Sequence, residues 1–384
     1  MRDASTMITK VFPILALGVF SATLGMGIVS PLLPLYVDAM GATGIWLGII
    51  IAAFAISHSI ITPIVGGLSD RSGRKLFLGI GLLLSSIISL GYIWAGNVYQ
   101  LASVSLINGV GAAMSIPIAL AYVGDLSPEG KEGKWMGYAQ AAFFSGFGLG
   151  PVMGGVLTDH FGMTVCFSTM GGLNLLAFLV TLFFLPEVSR RKVIASPRLS
   201  FKAMRASGIV KGIFSFRITE SIGRGSITTF LPIFAAMIGL SITRIGILLA
   251  VNILTLSILG PLGGMIADRF NKRLLIVLGQ SIFIIAMVAI PMTNSFEQLL
   301  PALLIQGISG AICIPAASAL IVGEGRSYGM GSAMATLFVA MGIGMTTGPI
   351  LSGVVADFAS INSVFYTAAG IGVIGTGLLI WFSR

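Results

Sequence analysis

The sequence GGLSDRSGRK, residues 66–75, lies between two long apolar stretches of this 384-residue chain. It places small residues, one carboxylate and three basic side chains within ten positions. A related stretch, GGMIADRFNKR, occupies residues 263–273, so that Asp70 and Asp268 are 198 positions apart. A fixed spacing of this kind indicates an internal repeat. We therefore expect the chain to contain two copies of one structural plan.

The repeat extends over most of the chain. The pairs related by the shift of 198 positions include Gly48 and Gly246, Gly150 and Gly348, and Pro151 and Pro349. The segment 186–208 is the one long polar stretch, and it divides the chain into an amino-terminal bundle, residues 1–185, and a carboxy-terminal bundle, residues 209–384. If each half crosses a membrane an even number of times, the two halves have the same orientation. The repeat is then parallel, and an axis along the membrane normal relates its two copies.

The composition is that of a membrane protein. Hydrophobic residues make up 56% of the chain and charged residues only 9%, whereas soluble domains carry about 25% charged residues. The formal net charge of +9 does not indicate nucleic acid, because the cations lie in short loops between apolar stretches. Cys166 and Cys313 lie inside apolar stretches, which is typical of small core residues and not of a disulfide or metal site.

The apolar stretches predict an all-α membrane fold. A spanning helix needs about 20 apolar residues, and the runs lack the alternation of a membrane barrel. The chain therefore resolves into two bundles of six transmembrane helices. The twelve predicted spans are approximately 12–36, 45–66, 75–95, 99–123, 135–158, 163–185, 209–238, 245–266, 274–293, 297–322, 329–357 and 361–382.

The basic residues predict the orientation in the membrane. If the amino terminus is cytoplasmic, 19 of the 22 lysine and arginine residues lie on the cytoplasmic side, as the positive-inside rule expects. We predict a multi-pass inner (plasma) membrane protein with both termini in the cytoplasm.

Three motifs resemble the major facilitator superfamily, and within it the twelve-span drug:proton antiporter group. Residues 66–75 match the superfamily's loop between spans two and three, and residues 24–34 match the group's L-G-x-x-x-x-x-P-x-x-P pattern. The match to the antiporter signature G-x-x-x-G-P-x-x-G-G in span five is carried by Gly146, Gly150, Pro151, Gly154 and Gly155. The resemblance covers essentially the whole chain and implies the major facilitator fold.

The resemblance also implies residues that gate the transporter. By analogy, Asp70 docks on the amino-terminal end of span eleven and locks one face closed, while Gly73 permits the turn after it. The alternative is a plain loop that only sets the topology. The glycines of span five form one small face that serves tight helix packing or a bendable interface between the halves. The predicted gating residues are Gly66, Asp70, Arg71, Gly73, Arg74, Asp125, Gly146, Gly150, Pro151, Gly154, Asp268, Arg269, Gly348 and Pro349.

The chain departs from the family pattern in its amino-terminal half. The family's arginine position in span four, three residues before Asn108, holds Ser105. Many antiporters carry an acid within span one, where this chain has Ser21, Ala22 and Thr23. The usual amino-terminal apparatus for proton coupling is therefore missing.

Charge inside the membrane appears instead in span seven. Arg217, Glu220 and Arg224 are spaced i, i+3 and i+7, which places them on one helix face near the midplane. One charge at the bilayer centre costs about 2.5–3.5 kcal/mol, so we expect this face to line a cavity between the halves. Our hypothesis is that Glu220 exchanges a proton or a salt-bridge partner during the transport cycle, while the arginines tune it or hold an anionic group. The alternative is a structural ion-pair cluster.

Other polar residues are weaker candidates. His58 in span two is a second candidate for proton coupling because histidine titrates near neutral pH, although a neutral histidine bonded to a helix carbonyl is an alternative. The predicted cavity is apolar and aromatic with a few polar points. Its candidate lining residues are Tyr36, Met114, Tyr138, Gln140, Phe143, Phe144, Asn252, Gln306 and Met334.

These observations favour a secondary transporter that works by alternating access. No nucleophile with a base, no metal cluster and no nucleotide-binding loop is visible in the sequence, so we expect no enzyme, no cofactor and no metal. The preferred activity is proton-coupled export of small amphiphilic or drug-like solutes. The alternatives are transport of an organic anion or lipid-like acid, or a membrane sensor that has lost transport. The expected partners are a small-molecule substrate, protons and membrane lipids, without nucleic acid, and the chain is expected to be a monomer.

Overall fold

The computed structural model describes residues 2–126, 132–186, 207–328 and 330–383. Within these ranges the regular secondary structure is helical, with one short 3-10 turn at Ile290–Met292. The helices are α1 Arg2–Ala39, α2 Gly44–Ser72, α3 Arg74–Trp94, α4 Val98–Leu126, α5 Glu132–Phe161, α6 Met163–Phe184, α7 Gly208–Met237, α8 Ile242–Arg269, α9 Lys272–Ala289, α10 Phe296–Tyr328, α11 Met330–Phe358 and α12 Ile361–Phe382.

The twelve predicted helices are confirmed in the described part of the chain. Eleven of them are long and apolar enough to cross a membrane. The remaining one, α7, is the helix that carries the three predicted intramembrane charges. Several helices extend beyond the predicted spans, because apolar length sets only the part that crosses hydrocarbon and a helix continues into polar sequence.

A glycine turn separates α2 from α3. Gly73 has a φ angle of 101° and a ψ angle of 141°, which lies in a region that side-chain-bearing residues rarely adopt. Its N–H donates to the carbonyl of Ser69 at 3.0 Å and ends α2. The backbone at Gly73 therefore has a conformation that favours glycine, and its part in gating stays a prediction.

The chain forms two compact units that exchange the beginnings of two helices. Unit 1 contains α1, α2 from Ala53 onward, α3 to α6, and α8 up to Ala250. Unit 2 contains the beginning of α2 up to Ala52, α7, α8 from Val251 onward, and α9 to α12. The sequence predicted two bundles, residues 1–185 and 209–384, and did not predict that the beginnings of α2 and α8 belong to the opposite unit. Most of the linker 186–208, residues 187–206, lies outside the described residues.

In unit 1, α5 packs on α1 through glycine. A Cβ atom built on Gly150 would lie 2.6 Å from the Cα atom of Gly27, and one on Gly154 would lie 2.8 Å from the carbonyl oxygen of Ile28. Gly146 meets Phe20 and its neighbours on α1 in the same way. The predicted single small face is therefore present, and it packs tightly on α1 of its own unit. Its role as a bendable interface between the halves stays a prediction.

Unit 2 contains the equivalent contact between α11 and α7. A Cβ atom on Gly348 would lie 2.6 Å from the carbonyl oxygen of Ile222, and the ring of Pro349 lies against Gly225. Residues 150 and 348 are related by the shift of 198 positions. The repeat seen in the sequence therefore appears as the same backbone approach in each unit.

Two aspartates cap the exchanged helix beginnings. In unit 1 the carboxylate of Asp159 accepts hydrogen bonds from the backbone N–H groups of Ile242 at 3.3 Å and Thr243 at 2.8 Å, where α8 begins. In unit 2 the carboxylate of Asp357 accepts from Gly44 at 2.6 Å and Ile45 at 2.9 Å, where α2 begins. Each carboxylate satisfies unpaired N–H groups and complements the helix dipole. The sequence pairs the two aspartates through the repeat, but their capping role was not predicted.

The glycine contact predicts a stability change. Gly150→Ala should lower the free energy of unfolding by about 1–3 kcal/mol, because the added methyl group meets the backbone of α1 and not the end of a flexible side chain. The check is the unfolding midpoint of the purified protein in detergent micelles. Gly172→Ala on α6 is the matched control, because a Cβ atom there meets nothing within 4 Å. Equal midpoints for both variants would contradict this account of the contact.

Candidate functional site

The candidate site lies on α7, inside unit 2. The helix begins after Ser207, whose hydroxyl accepts from the N–H of Val210 at 3.4 Å. Its spacing brings Arg217, Glu220 and Arg224 to one side, as the sequence indicates, because residues three and four apart are neighbours on a helix. The structure thus brings these three predicted residues together.

Both arginines bind the same carboxylate. Arg217 donates from Nη1 to Oε2 of Glu220 at 2.5 Å. Arg224 donates from Nε and Nη2 to Oε1 of Glu220 at 2.9 Å and 2.6 Å. The hydroxyl of Ser221 lies 3.4 Å from Oε2. Each carboxylate oxygen therefore receives at least one charge-assisted hydrogen bond, which is the strong kind in proteins. We call Arg217, Glu220 and Arg224 the charged triad.

The carboxylate is the most buried member of the charged triad. The side chain of Glu220 is 1% exposed, whereas those of Arg217 and Arg224 are 13% and 20% exposed. An ionised Glu220 leaves the triad with a net charge of +1, and a protonated Glu220 leaves it with +2. Burial makes this difference large, because charges interact more strongly in a medium of low dielectric constant.

Neighbouring helices surround the arginines with nonpolar groups. Nη2 of Arg217 lies 3.2 Å from the sulfur of Met341 on α11, a weak acceptor. The guanidinium of Arg224 lies against Gly310 of α10, and Leu256 of α8 approaches the same glycine. Within the triad itself, both carboxylate oxygens and three of the six guanidinium nitrogens are hydrogen-bonded.

His58 lies in unit 1 and has its own environment. Its ring stacks on Phe54 with 6.0 Å between ring centroids and 15° between the planes. Its backbone carbonyl accepts from the hydroxyl of Thr62 at 2.7 Å. The imidazole is partly exposed. Its role in coupling stays a prediction.

Three predicted cavity residues are buried, and their place on a cavity stays a prediction. Asn252 and Gln306 are 8% and 1% exposed, and the amide of Asn252 bonds the side chain of Gln306 and the carbonyl of Leu303. Met114 is 9% exposed and belongs to the apolar core of unit 1. Pairing each amide with the other satisfies two polar groups within the bundle, which hydropathy alone does not reveal.

The other predicted lining residues are distributed differently. Tyr36 donates its hydroxyl to the carbonyl of Ala95 at 2.9 Å. Tyr138 and Gln140 are exposed, while Phe143 and Phe144 are partly buried, with 5.2 Å between their ring centroids. The side chain of Met334 lies outside the described residues.

The predicted gating loop is described only in part. Arg74 at the start of α3 forms an ion pair with Asp125 near the end of α4, so these two predicted gating residues meet within unit 1. The side chains of Asp70 and Arg71 lie outside the described residues, so their predicted docking stays a prediction. Asp268 and Arg269 are exposed. A Cβ atom on Gly66 meets nothing within 4 Å. No group of three or more potential metal ligands occurs among the side chains that the structure describes.

The described residues form twelve long helices, of which eleven are long and apolar enough to cross a membrane, as in a multi-pass membrane protein. The model of the Major Facilitator Superfamily matches residues 15–241 and 213–384. The chain therefore belongs to the Major Facilitator Superfamily and is a transporter of that superfamily.

Similar proteins support the resemblance to the drug:proton antiporter group. The chain is 27% identical over 375 residues to the multidrug resistance protein MdtG of Proteus mirabilis, covering 92% of this chain and 91% of the relative. It is 25% identical over 357 residues to an uncharacterised MFS-type transporter of Methanocaldococcus jannaschii, covering 91% and 92%.

Solved structures show the same fold. A bacterial homologue of the human lysosomal transporter Spinster superposes with a TM-score of 0.85 at 14% identity, covering 98% of this chain and 97% of the other. The human organic anion transporter MFSD10 superposes with a TM-score of 0.66 at 19% identity, covering 97% and 99%.

The charge balance of the triad predicts an order of stabilities. Arg224→Met should lower the free energy of unfolding by about 2 kcal/mol. It removes hydrogen bonds to a charged group but leaves Arg217 and Glu220 as a pair without net charge. Glu220→Gln should lower the free energy of unfolding by about 3–5 kcal/mol, because it leaves two guanidinium groups without a carboxylate. Thermal unfolding in detergent micelles measures both changes, with Lys211→Met on the exposed side of the same helix as the control.

The double variant gives the decisive comparison. Glu220→Gln with Arg224→Met carries one excess cation fewer than Glu220→Gln alone, so it should be the more stable of the two. A double variant less stable than Glu220→Gln would mean that the triad is not held by charge balance.

Proposed function

We propose that this transporter exports small amphiphilic or drug-like solutes in exchange for protons, by alternating access, and that Glu220 carries the exchanged proton. The observation that supports this most is a carboxylate that is 1% exposed and shared by two guanidinium groups on a membrane helix. Ionisable groups in such positions are rare and are associated with proton and substrate pathways. The missing acid in span one leaves Glu220 as the acidic candidate.

Protonation of Glu220 would change the site by one unit of charge. An ionised carboxylate occupies the donors of Arg217 and Arg224, whereas a neutral carboxylic acid releases part of this hold. A proton can favour one conformation only through a difference in its affinity for two conformations. In this proposal, the two conformations differ in how fully the arginines reach Glu220.

The solute class and location rest on separate observations. The similarity to multidrug resistance proteins at 25% and 27% identity supports export of drug-like solutes. The concentration of basic residues in alternate loops supports an inner (plasma) membrane location with both termini in the cytoplasm. We further propose a monomer with protons and lipids as its other partners.

A second candidate function is transport of an organic anion or lipid-like acid. The observation that favours it is the excess of arginine in the triad, which leaves a net charge of +1 when Glu220 is ionised. A carboxylate or phosphate on the solute would be attracted to the partly exposed guanidinium groups.

The experiment is uptake by inverted membrane vesicles with and without an imposed pH gradient, acidic inside. Three probes are compared: a cationic dye, a neutral amphiphile and a hydrophobic carboxylic acid. The proposal expects gradient-driven uptake of the dye or the neutral amphiphile, abolished in Glu220→Gln while binding of the probe persists. Asp38→Asn is the matched control, because Asp38 is an exposed carboxylate at the end of α1.

Other outcomes decide between the alternatives. Uptake of the carboxylic acid alone favours the anion carrier, and uptake of no probe by a folded protein favours the sensor. If Glu220→Gln keeps full gradient-driven uptake and His58→Gln loses it, the residue that carries the exchanged proton is His58 and not Glu220. If Glu220→Gln folds poorly, Glu220→Asp retains a titratable group and should retain coupling.

A further inference from the structure

Gly310 on α10 occupies the point where a side chain would collide with the charged triad. A Cβ atom built on Gly310 would lie 2.8 Å from Nη2 of Arg224 and 3.1 Å from Cδ1 of Leu256. Nη2 is the same atom that donates to Glu220 at 2.6 Å. The space that Arg224 needs to reach Glu220 is therefore the space that the missing side chain leaves open.

We propose that Gly310 is a positioning residue for Glu220, acting through Arg224. Without a side chain at position 310, Arg224 can place both Nε and Nη2 on one carboxylate oxygen. The effect of Gly310 on transport rests on the proposed function. Its effect on the protonation of Glu220 does not, and it can be tested separately.

The packing around Gly310 separates this role from a structural one. The atoms nearest to the added Cβ atom belong to the far ends of two flexible side chains and not to a helix backbone. At Gly150 the corresponding neighbours are backbone atoms. A methyl group at position 310 would therefore displace the guanidinium of Arg224 before it displaces a helix.

The internal repeat provides a second, independent observation. The positions equivalent to Gly310, Arg224 and Glu220 in the amino-terminal half are 198 residues earlier and hold Ala112, Met26 and Ala22. That half has a side chain at the glycine position and no charges at the other two. The glycine therefore accompanies the charged triad and is not required by the helix packing that the halves share.

Few other charged or titratable groups occur near the middle of the described helices of unit 2, where the triad lies. Cys313 of α10 interacts electrostatically with Glu220 and both arginines. Among the described side chains of α7 and its neighbours α8 to α12, the remaining groups lie within the first or last six residues of their helices. They are Lys211, Arg244, Asp268, Arg269, Lys272, Arg273, Glu297, Asp357 and Tyr366.

The test measures protonation of Glu220 directly. A hydrophobic carbodiimide reacts with protonated buried carboxylic acids, so modification of the peptide that contains Glu220 can be followed by mass spectrometry as a function of pH. The full-length protein is used in proteoliposomes. Gly310→Ala weakens the hold of Arg224 on the carboxylate and so favours the protonated form. The midpoint of modification should move to higher pH by about one unit, or about tenfold in proton affinity.

Two controls isolate the role of Arg224. Gly260→Ala on α8 adds a methyl group that meets nothing within 4 Å and should leave the midpoint unchanged. In an Arg224→Met background, Gly310→Ala should cause no further shift, because the group that it displaces is gone. The unfolding midpoint of Gly310→Ala in detergent micelles should fall by no more than that of Arg224→Met, which removes the same hydrogen bonds altogether.

The outcomes are distinguishable from those of the proposed function. An unchanged midpoint in Gly310→Ala, an equal shift in the Arg224→Met background, or a protein that fails to fold would each overturn the positioning role. If the midpoint shifts as expected but transport shows no dependence on a pH gradient, the positioning role stands and the proposed proton coupling fails.

Discussion

Close approach of helix backbones is the contact on which both units depend. In hydrocarbon, an apolar side chain gains little by leaving lipid for another helix, so association relies on van der Waals contact at short range. Glycine supplies that contact between α5 and α1 and between α11 and α7. Because the two contacts are related by the 198-residue shift, one packing solution is used in each unit. The charged triad lies on α7, a helix held in this way.

The charged triad adds a different constraint to the same helix. Its three side chains could not face lipid without a large cost in free energy, and the structure meets this by joining both arginines to one buried carboxylate. An odd number of charges cannot be neutral, so one excess positive charge remains whenever Glu220 is ionised. Our proposals of proton exchange at Glu220 and of attraction to an anionic solute both rest on this imbalance.

The exchanged beginnings of α2 and α8 show what a repeat can hide. Hydropathy assigns each helix to one half of the sequence, whereas the structure places the first residues of both in the opposite unit. Asp159 and Asp357 hold these beginnings through backbone N–H groups, which every helix start presents. The sequence around a carboxylate near the end of a span does not indicate which helix it will cap. The sequence therefore showed that Asp159 and Asp357 are equivalent in the repeat, but not which N–H groups they bind.

The sequence by itself determined the class of fold, the number of helices, the internal repeat and the residues of the charged triad. Apolar length, a constant shift and helical spacing act along the chain, so each can be read without knowing how the helices pack. Only the tertiary structure decided that Asn252 bonds Gln306, that Arg74 meets Asp125 and that Gly310 leaves space for Arg224. Those contacts depend on the rotation of each helix about its axis. Helices that are apolar on all sides leave that rotation unspecified, because no polar face marks the outside.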